Sequence, residues 1–108
     1  MRPLSGLKIE DVVEGTGPSA ERGSVVSIQW QGWLNRGEAF GSGTESVRIG
    51  QRRHIAGLER GVIGMRVGGI RRLRVSPHLG YRDREVPGIP AHAVLQFEVK
   101  LLSVQDPA

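Results

Sequence analysis

The chain contains no cysteine, which excludes disulfide frameworks, thiolate zinc sites and cysteine nucleophiles while leaving either redox compartment open. Long apolar runs are missing too. None approaches the roughly 18 residues of a membrane-crossing helix, and Met1 to Asp11 lacks the apolar stretch of a secretory signal. A cytoplasmic location without membrane contact is the expectation. Histidine is limited to His54, His78 and His92, none spaced with another histidine or a carboxylate as metal ligands usually are. No glycine-rich loop leads from a strand into a helix and no serine sits in an elbow motif, so phosphoryl-transfer and serine-hydrolase chemistry have no carrier. Neither a metal nor a cofactor is expected.

What is there suits one globular domain over residues 1–108, with a core over about 7–104. Sixteen glycines and six prolines point to many turns. Two lysines accompany thirteen arginines, and the basic excess is local: residues 48–84 hold ten arginines against Glu59 and Asp83, while both flanks are net acidic. Such a stretch reads first as a solvated face; attraction to an acidic protein or to nucleic acid is the weaker reading.

Leu7 to Val13 alternates apolar and charged residues and reads as a strand, broken by Gly15-Thr16-Gly17-Pro18. Val26, Ile28 and Trp30 alternate with Ser27, Gln29 and Gln31 in a second strand ending near Leu34. Asn35-Arg36-Gly37 is a hairpin turn, and Glu38 to Phe40 restarts an extended chain that dissolves into a mobile Gly/Ser loop over 41–46. Val47 to Ile49 forms a short strand. The period then changes: Ile55, Leu58, Val62 and Met65 follow 3, 4, 3 spacing, one face of a helix, with Gly57, Gly61 and Gly64 beside it. Each such glycine costs about 1 kcal/mol relative to alanine, so the helix depends on close packing against a curved sheet. Arg72 to Val75 alternates again, an irregular connection covers 76–93, and Leu95, Phe97, Val99 and Leu101 alternate with Gln96, Glu98 and Lys100. Four extended segments before one helix and two after it predict an α+β fold: a five- to six-stranded antiparallel curved sheet wrapped around one short helix.

Apolar and aromatic residues gather at the ends of these elements: Trp30, Phe40, Ile55, Leu58, Tyr81, Ile89 and Phe97. Each alone fits a core position, but Tyr81, a polar-tipped ring in a Gly/Pro-rich loop, suits a hydrogen-bond donor beside a site. In order and spacing, Gly32-Trp33-Leu34-Asn35-Arg36-Gly37-Glu38-Ala39-Phe40, Ile55-Ala56-Gly57-Leu58-Glu59-Arg60-Gly61-Val62, Met65-Arg66-Val67-Gly68-Gly69, Gly80-Tyr81 and Val86-Pro87-Gly88-Ile89-Pro90-Ala91-His92-Ala93 followed by Leu95 to Val99 resemble the FKBP-type peptidyl-prolyl isomerases, from about Leu7 to Val104.

The resemblance implies a proline-binding pocket between helix and sheet that acts without covalent chemistry. Phe40, Tyr81, Phe97 and Ile55 take the catalytic positions, the Ile55 N–H and the Tyr81 hydroxyl binding ligand carbonyls. Trp30, Gly41, His54, Leu58, Val86 and Ile89 take the substrate-binding ones. Trp30 stands where the family usually has Tyr, Leu58 where the pocket floor is typically Trp, and Gly41 where Asp is usual; the connection is one residue shorter near Ile89. The implied activity is isomerisation of Xaa-Pro bonds in peptides and folding proteins. The implied partners are proline-containing or unfolded segments and macrolide inhibitors such as tacrolimus or rapamycin; contact of the basic 48–84 stretch with nucleic acid stays the weaker reading. The alternative, which Leu58 and Gly41 favour, is a non-catalytic or weakly catalytic peptide-binding chaperone module with the same pocket.

Overall fold

A computed structural model describes residues 6–105; the remainder of the expected 1–108 unit, residues 1–5 and 106–108, lies outside the described residues. Strands β1 (Leu7–Val13), β2 (Val25–Leu34), β3 (Ala39–Arg48), β4 (Ile70–Val75) and β5 (Leu95–Gln105) form one sheet in the order β1-β4-β5-β2-β3. Every neighbouring pair is antiparallel. Among the described residues the one α-helix, α1 (Ala56–Val62), joins β3 to β4, and a 3-10 turn at Pro77–Leu79 follows β4. The strand count falls at the lower end of the expected five to six.

Alternation decides which face is covered. On β5, Leu95, Phe97, Val99 and Leu101 are buried and Lys100 is exposed; on β2, Val26 and Ile28 are buried and Gln29 and Gln31 are exposed. The buried face of β4, Arg71, Leu73 and Val75, lies beneath α1. A Cβ built on Gly57 would come 2.8 Å from Val75 Cγ2, and one on Gly61 would come 2.8 Å from Leu73 Cδ2. The glycines that weaken α1 in isolation are thus what lets its backbone rest on the sheet.

Three expectations need correction. Residues 41–46 are not a mobile loop: β3 is continuous, paired with β2 from Arg48 opposite Val25 to Gly41 opposite Gly32. Its small residues mislead because Ser42, Thr44 and Ser46 face outward while Gly41 and Gly43 lie beneath the Trp30 ring, 3.1 Å and 3.6 Å from it when given a Cβ. Missing side chains there are filled by an aromatic from the next strand. The helix also ends before Met65, because Ile63 is already extended and Gly64 has φ 87°. Finally, Arg71 does not belong to a solvated basic face. It is 5% exposed, donates to Asp11 Oδ1 at 2.6 Å, and caps the end of α1 through the Gly61 and Ile63 carbonyls at 3.0 and 2.7 Å.

Candidate active site

Between the start of α1, the helix-bearing face of β2, β3 and β5, and the chain after the 3-10 turn lies a cleft of about 400 Å³. Strand alternation aims Trp30, Phe40 and Phe97 into it from three different strands. Their rings form a triangle. Phe40 and Phe97 meet edge to face at 5.6 Å, Trp30 and Phe97 at 6.0 Å and 63°, and Trp30 and Phe40 at 6.2 Å and 36°. Edge-to-face pairs add about 0.5–1.5 kcal/mol each beyond area burial, which fixes the rings as walls. Phe40 lies across β2 at Gly32, where a Cβ would come 2.7 Å from its Cε1.

The other side of the cleft is built on hydrogen bonds. Ile55 precedes α1 with no side-chain cap, and its carbonyl accepts from the N–H groups of Leu58 and Glu59. The buried Glu59 carboxylate reaches back to accept from Gly50 N–H at 2.9 Å and His54 N–H at 3.2 Å, which locks the turn entering the helix. The Ile55 N–H itself has no acceptor among the described residues. Tyr81 follows a wound turn in which Gly80 and Arg82 N–H both donate to the Pro77 carbonyl, and its hydroxyl makes no hydrogen bond within the described chain. His54 Nε2 and Glu45 Oε2 pair at 2.9 Å in the cleft wall.

Seven of the residues singled out from the sequence therefore line one cavity: Trp30, Phe40, His54, Ile55, Leu58, Tyr81 and Phe97. Three do not. Gly41 lies under Trp30, so its position supports a wall instead of presenting a group to the cleft. Val86 and Ile89 exchange backbone hydrogen bonds at 3.0 and 2.9 Å in a small hairpin of their own. Its tip, Gly88, lies beside Phe40, where a Cβ would come 3.8 Å from the Phe40 Cβ. Sequence reasoning missed Glu45, which hides in the supposed loop, and the lining arginines Arg52, Arg53, Arg82 and Arg84. The signal for the arginines was the basic stretch over 48–84.

A family model described as FKBP-type peptidyl-prolyl cis-trans isomerase matches residues 17–102. The chain belongs to this family. Among FKBP relatives, FK506-binding protein 4 of Chaetomium thermophilum is 40% identical over 97% of this chain, and FK506-binding protein 3 of Candida albicans is 39% identical over 94%. The chain spans only about a quarter of such relatives, 23% and 25% of their lengths. The FKBP fold is matched by the crystal structure of AtFKBP13, with TM-score 0.86 and 31% identity over 94% of each chain. FkpA from Escherichia coli superposes equally well, with TM-score 0.86 and 30% identity, covering 97% of this chain and 51% of that one.

Proposed function

We propose that this chain is a peptidyl-prolyl cis-trans isomerase whose pocket is the aromatic cleft. The observation that carries the reading is a three-ring apolar wall sharing one cavity lining with Ile55, whose N–H, and Tyr81, whose hydroxyl, have no hydrogen-bond partner among the described residues. An Xaa-Pro bond turns over tens to hundreds of seconds because rotation breaks amide resonance, a barrier of about 18–20 kcal/mol. Neither a nucleophile nor a proton donor is needed. A dry wall disfavours the planar, charge-separated amide relative to the twisted one, and donors that fit only the twisted form bind it preferentially. A thousandfold acceleration requires about 4 kcal/mol of such discrimination. In this scheme Trp30, Phe40, Phe97 and Leu58 hold the pyrrolidine ring, while Ile55 N–H and Tyr81 orient the flanking carbonyls. His54 borders the site, Gly41 lies under the Trp30 wall, and Val86 and Ile89 close a neighbouring hairpin whose tip approaches Phe40.

Substrates are proline-containing peptides and unfolded segments. The relatives named FK506-binding proteins extend the expected ligands to that macrolide. Exchange NMR on an Xaa-Pro peptide tests the reading: cis-trans exchange well above background at micromolar protein is expected, inhibited by FK506. Tyr81→Phe should slow turnover about fivefold, the worth of one hydrogen bond of about 1 kcal/mol, and Phe40→Ala by more. Exchange at the background rate sinks the isomerase. Leu58, an aliphatic floor where the family typically has Trp, keeps a second reading, a binding module without turnover, which peptide binding at the background exchange rate would establish.

A further inference from the structure

We infer that the cleft's rim selects proline segments with carboxylates next to the proline, and that Arg52, Arg53, Arg82 and Arg84 make the selection. The inference rests on the cleft being the proline site. Two turns carry these charges to the cavity mouth. The first, residues 50–54, is held by the Glu59 carboxylate through the Gly50 and His54 N–H groups. The second, residues 80–84, is wound by bonds from Gly80 and Arg82 N–H to the Pro77 carbonyl and from Arg84 N–H to the Tyr81 carbonyl. His92 N–H ties it down on the Arg82 carbonyl. Arg52 and Arg82 sit at φ 59° and 57°, a left-handed backbone that disfavours residues bearing a Cβ, yet both positions hold arginine.

All four arginines are exposed, all four line the cavity, and none is ion-paired among the described residues. The one carboxylate in the lining, Glu45, is already engaged by His54. Asp83 and Glu85 lie near in sequence but do not line the cavity. A bound chain advances about 3.3 Å per residue when extended, so residues on either side of a seated proline pass these turns. A carboxylate there meets an unopposed guanidinium, whose planar fork donates two hydrogen bonds to its oxygens; a lysine there meets only like charge.

The test uses the whole chain and three blocked heptapeptides in which both neighbours of a central proline are Glu, Leu or Lys. Binding is followed by NMR titration and turnover by exchange NMR in the same samples. At about 0.02 M salt the Glu peptide should exceed the Lys peptide at least tenfold in both, falling below about threefold at 1 M, where the screening length is about 3 Å. Arg53→Gln/Arg84→Gln, which removes two of the four rim charges, should cut the ratio to about threefold if their contributions add. Arg48→Gln/Arg74→Gln, which removes equal charge from outward positions on β3 and β4, should preserve it. Turnover of all three peptides at equal rates overturns the selectivity and leaves the isomerase standing. Charge-selective binding without turnover supports the selectivity and overturns the isomerase. A ratio that falls equally in both double variants assigns the effect to net charge and overturns the rim.

Discussion

Phe40 shows how a single missing side chain can shape the cleft. Its ring rests on Gly32 of the facing strand, and a methyl group at 32 would come 2.7 and 2.9 Å from Phe40 Cε1 and Cε2. Phe40 also leans on Phe97 and Trp30. Gly32→Ala is therefore expected to cost about 1–3 kcal/mol through overpacking, measured by urea unfolding, and to lower turnover as the ring is displaced. In a Phe40→Leu background the cost should shrink by about 1 kcal/mol or more, because the two positions share one contact; an unchanged cost would show that the ring is not what Gly32 accommodates. Trp30 and Gly41 are matched in the same way. Read singly from the sequence they are two departures from the family's usual Tyr and Asp; in the fold they are neighbours, the larger indole occupying space above a residue without a side chain.

At the level of elements, the strands with clean period-2 alternation, β2 and β5, were legible because burial alone writes that pattern. Strand β3 was not, since its residues look like a loop until β2 supplies the ring that covers them. Helix α1 was legible in position but not in length: its apolar spacing continues to Met65, which is buried beyond the helix end, so the period survives where the helical backbone does not. The chemistry of α1 was half visible. Ile55 and Leu58 stood out as apolar, whereas Glu59 looked like an ordinary helix carboxylate and is in fact buried, holding the turn before the helix. Packing of α1 on β4 gives a second prediction. Gly57→Ala would gain about 1 kcal/mol of helix propensity, but its methyl group has no room against Val75. The overpacking term, about 1–3 kcal/mol, is the larger, so a net loss of about 1 kcal/mol in chemical unfolding is expected. A net gain would mean that α1 can lift from the sheet without penalty.

Across the whole molecule, the ten arginines of residues 48–84 divide into populations that sequence cannot separate, because nothing in a run of charge says which side chains turn inward. Four surround the cleft mouth, Arg72 pairs with Glu98 on the outer sheet face at 3.2 Å, and Arg71 is buried. Arg71 joins three elements at once. It lies opposite Asp11 in the β1–β4 register, pairs with that carboxylate, and satisfies two carbonyls where α1 ends. Those carbonyls have no further helical turn to accept, so the guanidinium supplies donors that the fold otherwise lacks. Removing one partner of a buried pair costs about 3–5 kcal/mol. Asp11 keeps 32% of its side chain exposed and can be rehydrated, which places Arg71→Ala near the lower end, about 3 kcal/mol. For a domain whose total stability is about 5–15 kcal/mol, that is a large fraction, visible as a drop of about 1–2 M in the urea midpoint at an m-value of about 2 kcal/mol/M. Arg71→Lys should recover less than half of it, since an ammonium cannot span a carboxylate and two carbonyls in the fixed geometry of the fork. Because Arg71 lies outside the cleft, exchange rates per folded molecule should be unchanged in both variants. Full rescue by lysine would reduce the role of Arg71 to its charge alone.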